Sequence, residues 1–133
     1  MMNNKKASEY SALVLAYIGD AIYEAFTREK VLLSNPDMPA HKLHIQNVRY
    51  VKAKAQSDAM IAIEPVLKDK ELAIYKRGRN AKSGTVPKNA DLTEYRRATG
   101  FEALIGFLYL EKETDRLLEI MEIAYKNASY DKE

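Results

Sequence analysis

Two carboxylates each interrupt an apolar stretch of the sequence. Asp20 is the only charged residue within residues 11–23, and Glu102 is the only one within residues 101–110. A lone carboxylate on a largely buried helix costs several kcal/mol unless a cation or hydrogen-bond donors compensate it. We therefore expect Asp20 and Glu102 to converge on one compensating group. Mg²⁺ suits this role, because it commonly takes one or two protein carboxylates together with water and phosphate oxygens. The alternative is that each carboxylate forms a structural ion pair with Lys or Arg.

A basic segment is the second candidate site. Residues 76–88 contain five basic side chains, and residues 72–90 contain no Asp or Glu. The Gly, Ser, Thr, Pro and Asn gathered in residues 78–90 predict a polar loop. Basic side chains and exposed backbone N–H groups are the donors that a phosphate backbone requires. An ordinary solvated loop is the alternative. The candidate phosphate-contacting residues are Lys76, Arg77, Arg79, Lys82, Ser83 and Lys88.

Apolar residues recur at helical intervals along most of the chain. This periodicity predicts helices over residues 8–33, 38–60, 68–77, 92–110 and 114–126. Ser8 is the predicted N-cap of the first helix. Gly19 and Gly106 lie inside helices, so each predicts a close backbone approach, either within the chain or between subunits. We expect a single all-α domain at residues 8–127, with flexible ends at residues 1–7 and 128–133.

The composition limits the classes of protein to consider. The 133 residues suit one domain, and the absence of cysteine excludes disulfides, cysteine-ligated zinc, iron–sulfur clusters and thiol nucleophiles. Residues 38–90 carry eleven basic and four acidic residues, which favours a polyanionic partner, although solvated helix faces would give the same balance. No apolar run is long enough to cross a bilayer, so no membrane partner is expected. The polar start lacks the core of a secretion signal, which predicts a cytoplasmic location.

Three segments resemble one known family. The stretch Leu15-Ala-Tyr-Ile-Gly-Asp-Ala-Ile22 resembles the first signature of ribonuclease III catalytic domains, and residues 101–110 resemble the second. Residues 75–85 resemble the loop of Mini-ribonuclease III, the short bacterial branch of that family without a double-stranded-RNA-binding domain. The similarity covers nearly the whole chain, from about Ser8 to Tyr125, and it is the combination of segments that is specific.

The resemblance implies a fold, an activity and partners. It implies an all-α, homodimeric, Mg²⁺-dependent endoribonuclease that cleaves double-stranded RNA into products with 5′-phosphate and 3′-hydroxyl ends. Asp20 and Glu102 fall on the family's two essential Mg²⁺-ligating carboxylates. The segment around Asp20 would pack against its two-fold mate. In the Mini-III branch the implied task is maturation of the ends of the 23S ribosomal RNA precursor, with a large-subunit ribosomal protein that presents the substrate as a further implied partner.

The sequence also departs from the larger members of the family. They have a glutamate where this chain has Ala16 and an aspartate where it has Thr99. Asp91 and Glu94 are candidates to replace those carboxylates. Two alternatives therefore stay open. One is a catalytically silent relative that binds duplex RNA or ribosomes as a structural factor, and the other is a helical protein–protein adaptor whose charges only solvate it.

Overall fold

The predicted all-α architecture is confirmed. The structure, a computed structural model, describes residues 3–82 and 86–128, and this part of the chain contains helices and no strand. A short 3₁₀ turn (Ala7–Glu9) leads into six α-helices, and a second 3₁₀ turn (Glu64–Val66) follows the third of them. The helices are α1 (Ala12–Ser34), α2 (Ala40–Val51), α3 (Ala53–Ile63), α4 (Asp69–Asn80), α5 (Leu92–Leu110) and α6 (Thr114–Ala128). None of these helices is long and apolar enough to span a membrane.

Three predicted helix boundaries were wrong. The N-cap of α1 is Ser11, not Ser8, because the Ser11 hydroxyl accepts a hydrogen bond from the backbone N–H of Val14 at 3.2 Å. The stretch predicted as one helix over residues 38–60 is α2 and α3, separated at Lys52, whose backbone is extended with ψ at 155°. Helix α4 continues past residue 77 to Asn80, so the polar loop is shorter than predicted.

The core is built around α5. Residues 103–108 in its second half are all buried, so this stretch of the helix has no polar face to solvent. Helices α1, α3 and α4 pack around it. The fully buried members of α5 are Phe101, Ala103, Leu104, Ile105 and Leu108.

The close approach predicted at Gly19 and Gly106 lies within the chain. A Cβ atom at Gly19 would overlap the carbonyl oxygen of Glu102, and one at Gly106 would overlap that of Leu15. Helices α1 and α5 therefore cross backbone to backbone and run antiparallel there. The alternative that these glycines permit close approach of two subunits is wrong, because the space beside each glycine is filled by the other helix of the same chain.

The ends of the domain are described only in part. Ala7 and Ala128, which flank the predicted folded segment 8–127, are both buried. Residues 1–2 and 129–133 lie outside the described residues, and the predicted flexibility of the two ends stays a prediction.

Candidate active site

The crossing of α1 and α5 brings Asp20 and Glu102 together. Gly19 touches the backbone of Glu102, so the next residue along α1, Asp20, lies beside the Glu102 side chain. The two carboxyl groups are close enough to hydrogen-bond to each other. Glu102 is partly buried, whereas Asp20 is exposed. The expectation that both carboxylates lie on buried surface is thus wrong for Asp20, whose neighbours Tyr17 and Ala21 also face solvent.

The Glu102 carboxyl is poorly stabilised as an anion. Burial and the neighbouring charge of Asp20 raise the pKa of Glu102 to about 8. The hydrogen bond with Asp20 and the charge of Glu24 raise this pKa as well, and a hydrogen bond from Gln56 opposes them. Neither Asp20 nor Glu102 forms an ion pair with Lys or Arg among the described residues. The alternative of two structural ion pairs is therefore not what the geometry provides.

The donor set suits a hard divalent cation. Both carboxylates offer oxygen ligands, and one face of the pair is open to solvent. Within residues 3–82 and 86–128 no group of three or more acidic, histidine or cysteine side chains is arranged to hold a metal ion. Mg²⁺ commonly uses only one or two protein carboxylates and keeps several waters, so a site with two carboxylates and an open face fits it.

Three residues near the acid pair were missed by the sequence analysis. Glu24 lies one helical turn after Asp20, and its Oε1 accepts hydrogen bonds from Arg28 at 2.9 Å and from Asn47 at 3.1 Å. Gln56 on α3 is 2% exposed and reaches Glu102. The four-residue spacing of Asp20 and Glu24, which places both on one helix face, is the signal that could have found Glu24. No comparable pattern marks Asn47 or Gln56.

The candidate replacements for the missing family carboxylates do not reach the pair. Asp91 caps the N-terminus of α5, where its side chain accepts a hydrogen bond from the N–H of Glu94 at 3.0 Å. At a rise of about 1.5 Å per residue, Glu94 lies about 12 Å and Asp91 about 16 Å along the helix from Glu102. Thr99 donates its hydroxyl proton to the carbonyl oxygen of Tyr95 at 3.0 Å. The third carboxylate close to the acid pair is therefore Glu24 of α1, and not a residue at the start of α5.

The basic residues are divided between a helix and a loop. Lys76 and Arg77 lie in α4 as the predicted helix over residues 68–77 requires, whereas the assignment of Arg79 to the loop was wrong, because α4 continues to Asn80. Gly78 lies inside α4, where its close contact with Gly100 of α5 leaves no room for a side chain. Lys82 and Lys88 are exposed on the connection to α5, and Ser83 lies outside the described residues.

Two of these cations, Arg77 and Arg79, have contacts within the domain. The guanidinium of Arg77 donates hydrogen bonds to the carbonyl oxygens of Ser8 at 3.0 Å and Tyr10 at 2.8 Å. Arg77 thus ties the N-terminal 3₁₀ turn to α4. The guanidinium of Arg79 lies 5.7 Å from the centre of the Tyr75 ring.

Comparisons with known proteins converge on one family. The family model described as "Ribonuclease III domain" matches residues 13–113. A protein named Mini-ribonuclease 3 from Clostridium tetani is 49% identical over 115 residues, which is 86% of this chain and 76% of that protein. Its namesake from Thermoanaerobacter sp. is 47% identical over 114 residues, 86% of this chain and 80% of that one. A crystal structure of a protein from Fusobacterium nucleatum matches with a TM-score of 0.82 and 34% identity, over 92% of this chain and 98% of that chain.

Proposed function

Since this chain belongs to the ribonuclease III family, in its Mini-ribonuclease 3 branch, we propose that it cleaves paired RNA with a Mg²⁺ ion held by Asp20 and Glu102. Membership of the family makes the chain an endoribonuclease that acts on double-stranded RNA. The observation that supports the metal is the acid pair. Two adjacent carboxyl groups without a basic partner among the described residues need a cation if both are to be ionised at neutral pH.

The side chains around the pair have separate roles in this proposal. A Mg²⁺ ion, when bound, supplies a Lewis acid for the scissile phosphate and a water that loses its proton readily. Exposed Asp20 faces the solvent side from which an RNA duplex must arrive. Glu102 is held from behind by Gln56, and Glu24 is fixed by Arg28 and Asn47 one turn away. Such fixed ligands avoid reorganisation when charge develops during the reaction.

The products follow from the bond that is broken. Water adds its oxygen to the phosphorus, and the bond from phosphorus to the 3′ oxygen breaks. The 3′ oxygen leaves with a proton, so the products carry 5′-phosphate and 3′-hydroxyl ends.

The basic end of α4 is the proposed contact surface for the phosphate backbone. Gly78 of α4 packs against Gly100 and Ala103, which belong to the same stretch of α5 as Glu102. Lys76 and Arg79 lie close to Gly78 in the last turns of α4. Together with Lys82, Ser83 and Lys88 they would contact phosphates and 2′-hydroxyls, by which proteins recognise duplex RNA mainly through its shape. Arg77 has its structural contacts as well, so it is the weakest member of the set.

An exposed apolar patch supports a homodimer. Leu13, Val14 and Tyr17 on α1 and Tyr109 and Leu110 on α5 are exposed, and Tyr17 is 78% exposed. Because α1 and α5 run antiparallel, these residues gather at one end of the helix pair, next to Asp20. Apolar groups clustered in this way are typical of an association surface. A two-fold contact through this patch would place two acid pairs in one molecule, one for each strand of a duplex.

The proposed natural substrate is the 23S ribosomal RNA precursor in the cytoplasm. Support comes from the similarity to proteins named Mini-ribonuclease 3, together with the rRNA task that the resemblance implies. A large-subunit ribosomal protein that presents the paired ends is a proposed further partner.

A direct experiment tests the proposal. The purified protein is incubated with a long RNA duplex and with a 23S precursor stem, with Mg²⁺ or with EDTA, and the product ends are analysed. We expect short duplex products with 5′-phosphates in Mg²⁺ and intact RNA in EDTA. Salt-sensitive binding without cleavage would favour the structural factor, the alternative that Ala16 and Thr99 motivate. No binding at all would favour the adaptor.

A further inference from the structure

Two buried carboxamides beside the acid pair each have an oxygen without a partner. Asn47 and Gln56 are 3% and 2% exposed, and neither Asn47 Oδ1 nor Gln56 Oε1 has a hydrogen-bond partner within the described part of the chain. Their amide nitrogens, in contrast, donate hydrogen bonds to carboxylates: Asn47 donates to Glu24 at 3.1 Å, and Gln56 donates to Glu102. A buried acceptor left unpaired costs about 1–3 kcal/mol, so each oxygen calls for a donor that is not part of the chain.

The orientation of the Gln56 amide is fixed by its surroundings. Its Nε2 also donates to the carbonyl oxygen of Val51 at 3.1 Å. That carbonyl ends α2, and the break at Lys52 deprives it of a helical partner. With the amide flipped, Oε1 would face two acceptors, the Val51 carbonyl and the Glu102 carboxyl, and both contacts would be repulsive. The orientation that leaves Oε1 unpaired is therefore the one that fits the neighbours of Gln56.

The Asn47 oxygen can be satisfied by ordinary water. Asn47 lines an open cavity of about 230 Å³ between α1 and α2, together with Arg28 and His44, which has room for several water molecules. Gln56 does not line this cavity. Of the two amides, Gln56 is the one that contacts the acid pair, through its hydrogen bond to Glu102.

We propose that Gln56 is a positioning residue of the metal site, whose Nε2 holds Glu102 and whose Oε1 accepts a hydrogen bond from a water molecule on the bound cation. This inference rests on the proposed function, because it requires a cation between Asp20 and Glu102. Mg²⁺ keeps several of its waters when proteins bind it, and those waters are strong donors. Groups that orient a ligand in this manner typically change metal affinity by 10–100-fold when they are removed.

The test compares two substitutions of Gln56 with a matched control. Gln56→Met keeps the length of the side chain and removes both the donor and the acceptor, whereas Gln56→Glu keeps an acceptor oxygen. Gln46→Met makes the same chemical change at a partly exposed site on α2. Mn²⁺ binding is measured by titration calorimetry at pH 8, and the metal-free melting temperature is measured for each protein. Single-turnover cleavage and KM for a duplex RNA complete the set.

The proposal predicts a specific pattern. Gln56→Met weakens Mn²⁺ binding about 10–100-fold and lowers kcat, while KM for the duplex stays close to the wild type. Its metal-free melting temperature falls as well, because the Val51 carbonyl loses its donor. Gln56→Glu binds Mn²⁺ within about tenfold of the wild type, and Gln46→Met matches the wild type throughout. A merely structural role would lower the melting temperature in the same way and leave the Mn²⁺ affinity unchanged.

The outcomes separate the role of Gln56 from the existence of the metal site. Wild-type Mn²⁺ affinity in Gln56→Met overturns the role of Gln56 and leaves the metal site intact. If that variant does not fold, Gln56→Glu decides: affinity within tenfold of the wild type supports the inference, and a larger loss overturns it. A wild-type protein that cleaves duplex RNA but binds no Mn²⁺ contradicts the metal in the proposed function, and the role of Gln56 with it.

Discussion

Removing the charge of Glu102 should stabilise the metal-free protein, and only at neutral and alkaline pH. In the folded state Glu102 keeps its proton up to about pH 8, whereas the unfolded chain releases it near the ordinary value of 4.5. Ionisation therefore favours the unfolded state between these two values. Stability is fully present below about pH 4.5, decreases as the pH rises, and levels off above pH 8. Glu102→Gln has no such proton, so its advantage over the wild type should grow across this interval.

The size of the effect can be worked out from the pKa difference. At 1.36 kcal/mol per pKa unit, the interval from 4.5 to about 8 corresponds to at most about 5 kcal/mol. Glu102 is only partly buried, and solvent screening reduces this value, so we expect about 2–3 kcal/mol. For a chain of 133 residues this is a rise in melting temperature of about 7–10 °C.

The assay is thermal denaturation in EDTA, followed by circular dichroism from pH 4.5 to pH 9. Glu111→Gln, which removes an exposed carboxylate just past the end of the same helix, is the matched control and should follow the wild type. Addition of Mg²⁺ at pH 8 should raise the melting temperature of the wild type and leave that of Glu102→Gln unchanged. An equal difference between wild type and Glu102→Gln at pH 5 and pH 8 would refute the reasoning.

Three further predictions concern the metal, the basic residues and the dimer. Mg²⁺ affinity should tighten as the pH rises from 6 toward 8, because Glu102 must lose its proton before it binds a cation. Calorimetry in buffers of different ionisation enthalpy measures the protons released on binding. A pH-independent affinity would contradict the raised pKa of Glu102. Arg77→Ala should lower the melting temperature by a few degrees, because two backbone carbonyls lose their donor. Lys82→Ala should leave the melting temperature unchanged and reduce the salt dependence of RNA binding by an amount equal to about one phosphate contact. The opposite pattern in melting and filter-binding assays would reverse the two roles. Tyr17→Glu should shift the protein toward monomer in light scattering without unfolding it, because this side chain is exposed within one chain; an unchanged mass would remove the apolar patch from the interface.

The acid pair and the helical fold were readable in the sequence for a physical reason. A charge within an apolar helix is costly, so Asp20 and Glu102 stand out against their neighbours without any structural information. The glycines at 19 and 106 indicated a close approach as well. Whether this approach lies within the chain or between subunits depends on which helices pack together. The residues around each glycine do not reveal that packing.

The supporting residues were not readable because their roles arise from tertiary contacts. Gln56 is one polar residue in a helix, and its importance comes from the break at Lys52 and the arrival of α5. Gly78 lies inside α4 although glycine disfavours a helix interior, because its contact with Gly100 leaves no room for a side chain. Arg77 was placed among phosphate-contacting residues on charge alone, and its partners lie almost 70 positions earlier in the chain.

Single-turnover cleavage of a labelled RNA duplex, measured across a Mg²⁺ titration for the wild type and Asp20→Asn, tests the metal-bound acid pair most directly. The wild type should show no cleavage in EDTA and a rate that saturates with Mg²⁺, while Asp20→Asn should bind the duplex and remain inactive at every Mg²⁺ concentration. Equal rates for the two proteins, or wild-type cleavage that persists in EDTA, would contradict a catalytic metal held by Asp20 and Glu102.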